Sequence, residues 1–262
     1  MRLVDSHCHL QADRFDTDVD QVIGAARLAG VDRILVPGWD PDSSRRALEL
    51  VDRFPFLDAS VGVHPHDAER VDDAAWAEVA ALAPDPRVIA TGETGLDYDR
   101  LFSPVPAQLT NLRRNLRLAA DTGKPAILHC RSAAGGRDAQ DALLAEIRAF
   151  GSTPPPVLIH SFSGPLDYAE SMLDLGAVIS FSGLAFRSGE EATAEVARRT
   201  PPERILVETD SPYLSPPGAP RRRNEPEWVR ITAAWVAELR GDDRDAFGDR
   251  LVANYDRIFG RS

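Results

Sequence analysis

Six histidines fall at only four places in the chain: His7 with His9, His64 with His66, His129, and His160. Each place closes a short run of β-branched and aliphatic residues, and none lies in a stretch of helical periodicity. Carboxylates stand at two equivalent positions, Glu93 in ATGETGLDY and Asp210 in LVETDSPY. Neutral imidazole is the commonest metal ligand, and carboxylate oxygens complete a mixed donor set. His7, His9, Glu93, His129, His160 and Asp210 exceed what one tetrahedral zinc takes, and they suit two divalent ions bridged by a shared carboxylate. Glu93 is the natural bridge. The expected first ion takes His7, His9, Glu93 and Asp210, and the second takes Glu93, His129 and His160. His64 is expected to contact substrate or water, and His66 to brace the loop after Pro65.

In His7-Cys8-His9 alternate residues share a face, so both imidazoles point inward while Cys8 points to the covering helices. Cys8 and Cys130 are therefore read as buried inert thiols. Asp5 shares the inward face and is expected either to hydrogen-bond a ligand imidazole or to close the barrel floor.

Eight apolar runs must position these side chains. They are Leu3 to His7, Arg33 to Val36, Ala59 to Val63, Val88 to Thr91, Ala126 to His129, Val157 to His160, Ala177 to Phe181 and Ile205 to Glu208. Most are brief and apolar on both faces, as buried parallel strands are. Between them Val19 to Ala29, Ser43 to Arg53 and Ala107 to Thr122 repeat apolar residues at three- and four-residue spacing, which predicts amphipathic helices. The intervals fit one or two βα units between successive chemical residues, and the count closes at eight. The predicted fold is α/β: a (β/α)8 TIM barrel, residues 1–262 as a single domain, with the chemical residues at the strand C-termini where such barrels build active sites. An open doubly wound sheet is the alternative, but no Gly-rich phosphate fingerprint follows the first strand. The Pro-rich stretch from Ser211 to Pro226 reads as a long loop at the mouth.

Composition narrows the classes. The chain has 262 residues, with 41 acidic against 30 basic side chains and a formal net charge of -11. That balance disfavours a broad nucleic-acid-coating surface, so any nucleic acid must be handled locally. No apolar run is long enough for a membrane span, Asp5 interrupts any export signal, and two cysteines fit a reducing compartment, so a cytoplasmic protein is expected.

Seven motifs resemble the TatD family of metal-dependent deoxyribonucleases, a branch of the amidohydrolase-like barrels. They are DSHCHL at Asp5 to Leu10, GVHPH at Gly62 to His66, GETGLDY at Gly92 to Tyr98, ILHCR at Ile127 to Arg131, IHSFSG at Ile159 to Gly164, ETDSPYL at Glu208 to Leu214 and RRNEP at Arg222 to Pro226. The likeness runs nearly end to end. It implies the same metal positions and phosphodiester hydrolysis with Mg2+ or Mn2+, with Zn2+ as an alternative. Two departures stand out. Of the family's Gln, Phe and Gln only Gln108 is kept, with Leu112 and Asn115 at the other two places. Ser161 stands where Cys or Asn is common.

On this reading two ions hold the scissile phosphate of DNA, single-stranded and cut from an end, while Asp210 orients or deprotonates the attacking water and Glu93 bridges. Arg131, Arg222 and Arg223 are expected on flanking phosphates, with solvated loop arginines as the alternative for the last two. Arg221 is read as solvated, and Tyr213 as a pocket wall or a base-stacking ring. Two rivals remain: a hydrolase of an ester, amide or lactone, including an aminoacyl ester on tRNA, and a non-enzymatic binding barrel. Fold alone does not separate them.

Overall fold

β1 (Leu3–Asp5) pairs in parallel with β2 (Val31–Pro37), and the series continues through β3 (Leu57–Val61), β4 (Val88–Asp97), β5 (Ala126–Arg131), β6 (Val157–Ile159), β7 (Val178–Phe181) and β8 (Ile205–Val207). The computed structural model describes residues 1–151 and 153–261. In it all eight strands form one sheet in sequence order. The seam between last and first strand is closed by main-chain bonds: Ser6 N–H to the Val207 carbonyl at 3.1 Å, Asp210 N–H to that of His7 at 2.9 Å, and His9 N–H to that of Ser211 at 2.7 Å. The result is the expected (β/α)8 barrel.

Helices α1 (Val19–Leu28), α2 (Pro41–Arg53), α3 (Asp73–Leu82), α4 (Val105–Thr122), α5 (Asp138–Ala149), α6 (Leu166–Asp174), α7 (Ala192–Arg199), α8 (Val229–Arg240) and α9 (Arg244–Phe259) cover the sheet. Their ends are chemically marked. Asp40 and Ser43 form a reciprocal capping box at α2, and Gly123 at φ 69° stops α4 in the left-handed conformation. No helix among the described residues is long and apolar enough to cross a membrane.

Strand ends differ from the sequence expectation in ways that matter for the site. β4 runs to Asp97, six residues beyond the expected stop at Thr91, so Glu93 lies within the strand. β1 and β6 end before His7 and His160, which sit on the first residues of the loops. Asp5 is fully buried and takes neither expected role. Its carboxylate accepts the Thr209 N–H at 2.9 Å, the Thr209 hydroxyl at 2.6 Å and the main-chain N–H of His7 at 3.3 Å, tying the two seam strands together. At the opposite end of the barrel Asp58, also fully buried, accepts from the Tyr255 hydroxyl at 2.8 Å and pairs with Arg33 and Arg261.

Candidate metal centre

Glu93 reaches the mouth through a bulge. Gly92 (φ 106°) and Gly95 (φ 138°) flank it where the β4–β5 register shifts. A Cβ on Gly95 would collide with the His129 carbonyl and one on Gly92 with that of Ile127, so glycine is what permits the close approach of the two strands.

The Glu93 carboxylate divides between two groups of donors. Oε2 lies 3.2 Å from His7 Nε2 and 3.7 Å from His9 Nε2, and His9 Nε2 lies 3.2 Å from Asp210 Oδ1. Oε1 lies 2.9 Å from His160 Nε2 and 3.2 Å from both His129 Nδ1 and His64 Nε2. All six expected ligands are therefore in one cluster, and His64 joins it.

Hydrogen bonding assigns the ring nitrogens. His160 Nδ1 donates to Glu208 Oε1 at 3.1 Å, which leaves the Nε2 lone pair aimed at a carboxylate oxygen. That arrangement needs a cation between them, whether a proton or a metal ion. His129 Nε2 lies 3.4 Å from Asp97 Oδ2, leaving its Nδ1 toward Glu93 and His160. The Nε2 atoms of His7 and His9 face each other at 3.2 Å. Imidazole nitrogens and carboxylate oxygens converging this closely fit divalent ions. His64 behaves differently. Its Nδ1 accepts the His66 N–H at 3.1 Å, so a neutral ring carries its proton on Nε2, which faces Glu93.

The electrostatics agree. Burial lowers the His64 pKa to about 4, which keeps the ring neutral near pH 7. Burial pushes Glu93 up, but His64, His160 and His7 outweigh it and hold the carboxyl well below its ordinary range. Burial would lower His160, yet Glu93 and Glu208 reverse the sign and raise it. The charges that favour a proton there favour a metal cation equally.

The mouth is strained. Among the described residues four other than glycine have positive φ: Leu101, Ser161, Asp210 and Leu214, and all stand on loops at this face. Such backbone persists where surrounding bonds over-determine it, commonly at functional sites. Asp210 shows how. Thr209 is fixed by Asp5, and its carbonyl accepts from Asn224 Nδ2 at 2.9 Å.

The arginines part company. Arg131 lines a mouth cavity of about 1250 Å³ but pairs with Asp99 at 2.7 Å. Arg223 is not brought to the cavity. It is held by Asp18 at 2.7 Å and Glu225 at 2.8 Å, over the Phe15 ring, and so fastens the long loop to the start of the chain. Arg222 is exposed, outside the cavity lining, and its carbonyl accepts from Arg14. His66 bonds Asp97 Oδ2 at 2.7 Å, the brace expected of it. Cys8 and Cys130 are buried and free.

Sequence reasoning missed Glu208 and Asp97. Both had a signal: each is an acid standing close to a chosen carboxylate in the same motif, Asp97 four residues after Glu93 and Glu208 two before Asp210. Gln108, on α4, holds the Asp97 main chain in place. It accepts the Asp97 N–H at 2.8 Å and donates to the Asp97 and Ser103 carbonyls. At the departure Ser161 it is the main-chain N–H that donates to Glu208, at 2.6 Å, so the side-chain change leaves this bond in place.

A parallel barrel with imidazoles and acids converging at its C-terminal mouth defines a metal-dependent hydrolase architecture. Residues 4–260 match the family model of TatD related DNase, and the chain belongs to that family. It is 32% identical to the Bacillus subtilis protein named uncharacterized metal-dependent hydrolase YabD, over 98% of each chain. It is 34% identical to the 3'-5' ssDNA/RNA exonuclease TatD of Klebsiella pneumoniae, also over 98% of each. The solved structure of the TatD homologue YJJV from Escherichia coli superposes with a TM-score of 0.88 at 30% identity, covering 99% of this chain and 98% of that one.

Proposed function

We propose that this protein is a metal-dependent exonuclease that hydrolyses phosphodiester bonds of single-stranded nucleic acid with two divalent ions. The observation that carries it is the divided Glu93 carboxylate, whose two oxygens face separate groups of donors at the mouth of a cavity. His7, His9, Glu93 and Asp210 would hold one ion, and Glu93, His129 and His160 the other. The mixed imidazole and carboxylate set suits Mn2+ or Zn2+ better than Mg2+, which prefers oxygen. Bound there, the ions supply Lewis-acid polarisation of the phosphate and a lowered water pKa. Asp210 takes the proton of the attacking water. Burial pushes its carboxyl up, but His9 and His7 outweigh that and keep it ionised and ready to accept. His64 donates its Nε2 proton to Glu93 or to a phosphate oxygen, and Arg131 meets a flanking phosphate by exchanging Asp99 for it. Glu208 and Asp97 hold the His160 and His129 rings in the ligating orientation. We read residues 1–262 as one barrel domain, working in the reducing cytoplasm to which two free thiols are suited.

The test is a single-stranded DNA carrying a label at either end, incubated with Mn2+ and with chelator, beside a panel of small esters and lactones. A ladder that shortens from one end and stops with chelator supports the reading. Ester or lactone turnover without release of nucleotides overturns it.

A further inference from the structure

The large hydrophobic side chains exposed among the described residues are Leu28, Leu101, Phe102 and Tyr213, and two of the four stand in the lining of the mouth cavity. Phe102 is 60% and Tyr213 52% exposed, and both rings line the cavity. They lie on opposite flanks of the metal-binding cluster. The Phe102 ring is 4.8 Å from that of His66, which is 4.2 Å from His64 on the Oε1 side of Glu93. The Tyr213 ring is 6.0 Å from that of His9, on the Oε2 side with Asp210.

Neither ring is exposed through slack chain. Phe102 lies between Leu101, at φ 50°, and Ser103, whose hydroxyl donates to the His66 carbonyl at 2.8 Å and accepts the Glu69 N–H at 3.1 Å. Tyr213 donates its N–H to the Asp210 carbonyl at 2.9 Å and precedes Leu214, also at φ 50°. The same device, an aromatic ring beside a left-handed aliphatic residue, appears on both sides. Each also has an arginine near it. Arg100 precedes Phe102 by two residues, and Arg187 ends the short helix Gly183–Phe186, whose Gly183 packs on the Leu214 carbonyl. Both arginines line the cavity, and neither forms an ion pair among the described residues.

We propose that Phe102 and Tyr213 are two stacking platforms that receive the bases on either side of the scissile phosphate of a single-stranded nucleic acid, with Arg100 and Arg187 on the adjoining backbone phosphates. This rests on the nuclease reading. Rings offer every base a π-face and ignore the 2′-hydroxyl, so the grip tolerates sequence and accepts DNA and RNA alike. Bases drawn to opposite flanks are pulled off one another, and a base held by a complementary strand reaches neither ring. Selectivity for single strands therefore resides in these two side chains.

The test is binding rather than turnover. The Mn2+-loaded protein is titrated with an all-phosphorothioate single-stranded octanucleotide carrying 2-aminopurine, with the same strand made abasic at its last two positions, and with the duplex. F102A and Y213A are each expected to weaken binding of the intact strand roughly 5- to 100-fold and to relieve the fluorescence quenching, while F102Y and Y213F retain both. The abasic strand is expected to bind wild-type protein as poorly as the intact strand binds the double alanine variant. Alanine variants within twofold of wild type, equal affinity for intact and abasic strands, or no binding of the probe at all overturns the platforms. Hydrolysis of an ordinary oligonucleotide is scored separately. Base-dependent binding without hydrolysis leaves the platforms standing and removes the nuclease, whereas hydrolysis with indifferent variants does the reverse.

Discussion

Glu208 accepts the Nδ1 proton of His160 at 3.1 Å, and this bond turns the ring so that Nε2 stands 2.9 Å from Glu93. The ring that would grip an ion is thus aimed by a residue that would not touch one.

Removing that aim should loosen the ion while leaving the barrel. E208Q is expected to lower divalent-ion affinity by about 10- to 100-fold, the usual cost of losing a ligand's outer partner. Metal titration by calorimetry checks it, and an unchanged affinity would assign Glu208 to packing alone.

Asp210 is the residue for which activity and folding should separate. D210N keeps the shape and the main-chain bond to the His7 carbonyl at 2.9 Å, yet cannot take a proton. Turnover is expected to fall by about 10² to 10⁴, the range for loss of a general base, with the circular-dichroism melt in chelator preserved. Near-normal rates would take Asp210 out of the proton transfer.

Stripping the ions should cost stability as well as activity. Each ion at 100 times its Kd stabilises the folded state by about 2.7 kcal/mol, equivalent to a melting shift of roughly 5–10 °C per ion in a chain of this size. Chelation is expected to produce that drop together with loss of hydrolysis, and Mn2+ to reverse both. Activity that survives exhaustive chelation contradicts the metal centre.

Arg223 should behave as a fastener rather than as a phosphate contact. R223A removes the bonds to Asp18 and Glu225 and leaves two acids without their partner, a loss of about 1–3 kcal/mol. The expected result is a lower Tm with KM for oligonucleotides little changed. A raised KM at unchanged Tm would return Arg223 to the substrate.

His64 fixes an acid dependence. Its folded pKa, lowered to about 4 by burial, lies below the unfolded value near 6.5. The folded state therefore binds fewer protons there, and the stability held above pH 6.5 is lost as pH falls from 6.5 toward 4. In chelator, H64N is expected to flatten the fall of Tm across this window, by up to about 3 kcal/mol. Parallel Tm profiles for the two proteins would refute it.

The barrel and its ligands were legible because both obey simple periods. His7 and His9 alternate on one face, and the spacing from His129 to His160 fits one βα unit, so eight strands and a convergent mouth follow from counting. β4 outruns its expected stop because Gly92 and Gly95, which look like a loop in the sequence, allow a bulge within the strand. For Arg223 the sequence leaves a phosphate contact and a solvated arginine both open, because a position in a loop does not reveal that Asp18 faces it. Glu208 stayed hidden behind Asp210 in the same motif, since a pattern marks acids without saying which one bonds a ring.

The seam of the barrel has a consequence for how the protein comes into being. His7 and His9 are synthesised long before Asp210, which meets His9 across that seam at 3.2 Å. A nascent polypeptide carrying the early histidines has no complete nest for a cation until its eighth strand emerges and docks. On the proposed mechanism, hydrolytic competence is thereby withheld from a nascent chain until Asp210 has docked beside the early histidines.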